Sequence, residues 1–96
     1  MSSAYVIAET KVEDPSRYTD YGRLAAPSIE KFGGVYVVRG GAIQSLLGEW
    51  QPERLAVVRF DSIERAKQWW NSPDYREAKL LRTQIATSKI LLVEGA

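Results

Sequence analysis

The chain has 96 residues, of which 45% are hydrophobic and 26% charged, with 13 Lys and Arg against 12 Asp and Glu for a formal net charge of +1. That balance describes an ordinary globular domain and argues against nucleic acid as a main partner, which demands a concentrated excess of basic side chains. The sequence holds no histidine and no cysteine, which removes the commonest general base, the usual metal ligands, the thiol nucleophile and any disulfide framework.

Residues 1–96 are read as one domain, which at this size buries roughly 60–70% of its unfolded surface. Without disulfides it must be held by its core or by self-association. The start, Met1-Ser2-Ser3-Ala4-Tyr5, lacks a basic region followed by a long apolar run. No window approaches the ~18 apolar residues of a membrane span, so no membrane contact and a cytoplasmic location are expected.

Ala4 to Lys11 alternates with a period of two and reads as the first strand. Asp14-Pro15 supplies a helix cap followed by proline at the first helical position, and Tyr18, Tyr21, Ala25, Ile29 and Phe32 recur at helical spacing, with Pro27 expected to kink the helix. Gly33-Gly34 ends it and releases the second strand, Val35 to Arg39. Gly40-Gly41 marks a bend, and Ala42 to Trp50 is expected to extend the strand into a hairpin. The turn Gln51-Pro52-Glu53 leads into a third strand, Arg54 to Phe60.

Asp61 is read as the cap of a second helix reaching Asn71, with Glu64 completing a capping box. Ser72-Pro73 restarts a helical pattern carrying Tyr75, Ala78, Leu81, Arg82 and Ile85, and Lys89 to Glu94 forms the last strand. The order strand, helix, strand, strand, helix, strand resolves most simply as a ferredoxin-like α+β fold with a four-stranded antiparallel sheet. Helices cover one face of such a sheet, yet all four strands carry apolar residues at both parities. The second face therefore needs a cover, which predicts a homodimer.

One parity reads Tyr5, Ile7, Glu9; Val35, Val37, Arg39; Leu55, Val57, Arg59; and Ile90, Leu92, Glu94. With strands one and three parallel at the centre, Glu9 and Arg59 are expected to meet at one end, and Arg39 and Glu94 at the other. A charge placed at Val57 or Leu92 is then expected to break the dimer.

Five segments carry a family resemblance: Gly33-Gly34-Val35-Tyr36-Val37-Val38-Arg39-Gly40-Gly41, Gly48-Glu49-Trp50-Gln51-Pro52-Glu53-Arg54, Phe60, Trp69-Trp70-Asn71-Ser72-Pro73-Asp74-Tyr75 and Leu92-Val93-Glu94-Gly95. Together they resemble the domain of unknown function family 1330 across essentially the whole chain. The resemblance implies a ferredoxin-like subunit that pairs sheet to sheet as a dimeric α/β barrel, and it implies no chemistry. Trp70 departs from the tyrosine expected in many relatives, which removes a phenolic hydroxyl. Related barrels include small monooxygenases, isomerases and haem-degrading enzymes, but a shared fold does not transfer activity.

Arg39 closes an apolar strand beside glycines that let a ligand approach, and its planar fork of donors suits a carboxylate or enolate. The plainer alternative is an ion pair with Glu94 or Glu9, or a solvated strand end. Arg54 and Arg59 favour that plainer reading more strongly, and Arg82 stands evenly between surface and site. Tyr36, Trp50, Trp70 and Tyr75 are candidates to wall an aromatic pocket, or simply core and interface area. Trp69 and Trp70 lie about 100° apart on a helix, so both cannot face the core.

Glu9, Glu49 and Glu94 are the remaining candidate bases, with Glu9, Glu94 and Arg39 taken as the catalytic set. No carboxylate cluster has metal-binding spacing, haem would find only tyrosine as an axial ligand, and neither glycine pair is a dinucleotide fingerprint, so no metal or cofactor is expected. The reading is a homodimer that binds a small anionic or aromatic molecule, with proton transfer or cofactor-free oxygenation as its chemistry. The alternative is a non-catalytic dimerisation or protein-interaction module.

Overall fold

A computed structural model describes residues 2–96, leaving Met1, the one methionine, outside the described residues. The elements run β1 (Ala4–Val12), α1 (Pro15–Lys31), β2 (Val35–Arg39), β3 (Leu55–Phe60), α2 (Ile63–Trp70), α3 (Pro73–Ile85) and β4 (Ala86–Glu94). One sheet of order β2-β3-β1-β4 carries all four strands, each antiparallel to its neighbours. This is the ferredoxin-like arrangement, with the helices on a single face.

Local chemistry places the helix ends. The Asp14 carboxylate accepts from the Arg17 amide and Pro15 opens α1, which continues through Pro27 to Lys31. The cap of α2 is Ser62 and not Asp61: its hydroxyl accepts from the Arg65 amide at 3.0 Å, so the Asp61–Glu64 capping box does not form. Ser72 serves both neighbouring helices, donating to the Trp69 carbonyl at 2.7 Å and accepting from the Tyr75 amide at 3.2 Å. At the turn into β2, a Cβ on Gly34 would stand 2.8 Å from the Phe60 ring, so the strand enters through a gap that only glycine leaves open.

Four expectations need correction. β1 and β3 are antiparallel, because α1 returns the chain so that β2 runs with β1, and the connection after β2 then reverses direction. Arg59 consequently pairs with Tyr5, while Glu9 lies at the far end between Leu55 and Lys89. Arg39, opposite Ala56, lies toward the Glu9 end, and Glu94, opposite Ala4, lies at the Arg59 end. Ala42 to Trp50 forms no strand. β4 begins three residues early, at Ala86, because β1 extends to Val12 and pairs with it there.

The fourth correction concerns the faces. Ala4, Val6, Ala8 and Thr10 of β1 are buried beneath the helices, as are Val58 and Phe60 of β3. Pairing puts Ile90 and Leu92 opposite Ala8 and Val6, hence on this covered side, and Leu91 and Val93 on the open side. In β2 an irregularity between Tyr36 and Val38 shifts the register, so that Tyr36 lies opposite Val58 and Arg39 opposite Ala56. A β-bulge of this kind breaks strict alternation, and here it turns Tyr36 and Arg39 to the same covered face. The open face keeps an apolar row of Val38, Val57, Ile7 and Leu91.

The core lies between this sheet and the helices, centred on Phe60, Trp69, Tyr75 and Ile85. Trp69 is buried against Phe60 and Tyr75, whereas Trp70 is only partly buried. The buried Trp69 indole donates to the Ser28 hydroxyl at 3.1 Å, and Ser28 in turn donates to the Ala25 carbonyl at 2.6 Å. No buried side-chain polar atom among the described residues lacks a partner.

Candidate functional site

A cleft of about 60 Å³ opens between the covered sheet face and α1 and α3. Its floor is apolar, from Ala8, Ala56, Val58 and Ile90, and its walls carry Arg39, Arg54 and Arg82 with Tyr18, Tyr21, Tyr36 and Tyr75. No aspartate or glutamate lines it. None of the three arginines forms a salt bridge among the described residues.

Each arginine is held differently. Arg82 is buried on α3, where its Nε donates to the Ser88 hydroxyl at 2.8 Å and its Nη2 to the Thr10 hydroxyl. Its guanidinium also lies 4.9 Å from the centre of the Tyr21 ring. Arg54, immediately before β3, donates from Nε to the Tyr18 hydroxyl at 3.1 Å. Arg39 is exposed at the cleft mouth and stacks over Tyr36, 4.2 Å from the ring centre.

Gly40 makes room for this cluster. Its φ is +69°, a conformation that favours glycine, and an added Cβ would overlap the Arg54 guanidinium, 2.6 Å from Cζ. Tyr18 and Tyr21 share one face of α1 because they stand three residues apart. Their rings stack at 5.5 Å, and Tyr21 and Tyr75 join hydroxyl to hydroxyl at 2.9 Å.

Two of the phenols here are held neutral. Burial pushes the Tyr75 hydroxyl well above the ordinary tyrosine range, and the neighbouring Tyr21 adds to the effect. Burial also raises Tyr36, against the opposing pull of Arg39. For Arg82 burial disfavours the charge, but Tyr21, Tyr18 and Tyr75 more than offset it, so the pKa is raised and the guanidinium stays cationic. Neutral phenols and fixed cations can bind an anionic oxygen by charge and by donated hydrogen bonds.

Of the sequence candidates, Arg39, Tyr36, Tyr75 and Arg82 come together in the cleft. Glu9 pairs across the sheet with Leu55 and Lys89 on the open side, and Glu94 is exposed at the end of β4. Neither faces the three arginines. Trp50 is 61% exposed on the connection between β2 and β3, beside Ile43 and Pro52. Trp70 sits behind Tyr75, under the Lys79 ammonium at 4.1 Å, and lines surface grooves against β4.

Sequence reasoning passed over Tyr18 and Tyr21 and favoured an ion pair or a solvated strand end for Arg54. The tyrosine spacing on α1 was visible but equally suited a plain core stripe. Arg54 is brought in by the backbone hydrogen bond from the Thr10 amide to its carbonyl, a long-range contact with no local signature. Among the described residues no cluster of acidic side chains could hold a metal ion, and no helix is long and apolar enough to cross a membrane.

Several solved structures are similar in fold. A protein of unknown function from Rhodopseudomonas palustris is 19% identical, with a TM-score of 0.79 over 99% of this chain and 83% of that one. SnoaB, a cofactor-independent oxygenase from Streptomyces nogalater, is 13% identical, with a TM-score of 0.63 over 96% and 91% of the two chains. A dimeric ferredoxin-like protein of unknown function from Thermobifida fusca is 14% identical, with a TM-score of 0.53 over 99% and 91%. No curated protein matches the chain. The family model for the domain of unknown function DUF1330 matches residues 3–96, and the chain belongs to that family.

Proposed function

We propose that this protein is a homodimer that binds a small organic anion in the arginine and tyrosine cleft. The observation that carries the reading is that Arg39, Arg54 and Arg82 line one cavity with no carboxylate beside them. Three cations gathered without a counter-charge repel one another, and an anion relieves that cost. Because Arg82 is already fixed by Thr10 and Ser88, little side-chain entropy remains to be lost when a ligand arrives.

The chemistry suited to such a cleft is stabilisation of an oxyanion, a carboxylate, enolate or phenolate, with Tyr21 and Tyr75 as hydrogen-bond donors. Cofactor-free oxygenation or proton transfer on a substrate held in that form is the reaction class proposed, and the structural similarity to a cofactor-independent oxygenase supports it at the level of fold. Glu9 and Glu94 fit poorly as its base because they lie outside the cleft. The dimer follows from the open sheet face, where Val35, Val38, Leu91 and Val93 are exposed in a row of apolar strands. A dimeric relative in fold supports it.

Native mass spectrometry of gently purified protein, followed by titration of small carboxylates against Trp69 fluorescence, tests the reading. The expected result is a dimer whose fluorescence responds to carboxylates, with the response lost in Arg82→Gln. A dimer that responds to none of them would leave the second reading, a non-catalytic association module, for which the open apolar face is the specific observation. Oxygen uptake over a panel of small phenols, quinols and 2-oxo acids then separates binding from turnover.

A further inference from the structure

The three guanidiniums are not spread around the cleft but gathered at one end. Arg39 is opposite Ala56, Arg54 passes over Gly40 and offers its carbonyl to the Thr10 amide, and Arg82 binds the Thr10 hydroxyl. The opposite end is closed by Ile29, Trp69 and Tyr75, and the floor between is small and aliphatic.

We propose that the ligand is a short aliphatic dicarboxylate with both carboxylates in this arginine cluster, a deepening that rests on the anion reading above. The donor inventory offers seats for two acceptors. Arg54 spends Nε on Tyr18, which leaves both of its terminal nitrogens as a fork. Arg82 spends Nε and Nη2 on Ser88 and Thr10, which leaves Nη1. Arg82 lines this cleft, with its guanidinium beside the Tyr21 ring.

A carboxylate seated on the Arg54 fork leaves Arg82 and Arg39 uncompensated. A second carboxylate, on Arg82, offsets a further positive charge, and Arg39 at the mouth stays solvated. Ala8 and Ala56, with their small side chains, give the linker between the two carboxylates an apolar floor.

Isothermal titration at constant ionic strength with malonate, succinate, propionate and inorganic phosphate tests this. The expected result is a dicarboxylate at least about tenfold tighter than propionate. Arg54→Gln is expected to erase that advantage by weakening the dicarboxylates more than propionate, and Arg39→Gln, at an exposed position, serves as a second variant should the first lose its fold. Propionate binding as tightly as both dicarboxylates would overturn the dicarboxylate while sparing the anion site. Phosphate as the tightest ligand would overturn it in favour of a phosphate site. Binding of none of the four would overturn the dicarboxylate and the anion reading together.

Discussion

Replacing Gly40 by alanine should disarm the cleft without replacing any side chain that a ligand would meet. The φ of +69° costs an L-residue about 1–2 kcal/mol, and the added Cβ overlaps the Arg54 guanidinium, which must swing away from Tyr18. For a domain of this length that energy lowers the thermal midpoint by roughly 4 to 16 °C. Gly41→Ala is a built-in control, because its Cβ would meet nothing within 4 Å and its φ is not positive.

Thermal denaturation of the two variants is the first assay. The second is a double-mutant cycle of Gly40→Ala with Arg54→Gly, in which removal of the guanidinium should recover the steric part of the loss but leave the backbone part. Anion affinity of Gly40→Ala should fall to that of Arg54→Gln. Equal midpoints and equal affinities for Gly40→Ala and Gly41→Ala would refute the placement of Arg54 over Gly40, and with it the three-arginine cluster.

Other predictions separate the two sheet faces and probe the buried polar groups. Leu91→Asp should leave the subunit folded but monomeric by analytical ultracentrifugation, because Leu91 is 64% exposed on the open face, whereas Leu92→Asp should unfold it, because Leu92 packs against the core. A folded Leu92→Asp dimer would reverse the face assignment. Ser28→Ala strands the buried Trp69 indole N–H and should cost about 1–3 kcal/mol in urea unfolding. Tyr75, raised above its ordinary value of 10.0, contributes stability that is complete below pH 10 and is lost as pH rises further, since folding then opposes ionisation. That loss approaches about 1.4 kcal/mol per pH unit for one group, and Tyr75→Phe should flatten the alkaline limb of a stability curve.

The sequence by itself determined the elements and their order. Caps, prolines and glycine pairs act within a few residues, and so Asp14-Pro15, Gly33-Gly34 and Ser72-Pro73 mark boundaries that the structure keeps. The apolar character of the open sheet face was legible too, from apolar residues at both parities. Tertiary structure decided which residues share a side. A single irregularity in β2 brings Arg39 around to Tyr36, and antiparallel pairing of β1 with β3 carries Glu9 away from Arg59. Arg54 enters the cleft through Thr10 and Gly40, which are 44 and 14 residues away from it in sequence. Hydrogen-bond register between distant strands sets such neighbours, and no local pattern encodes it.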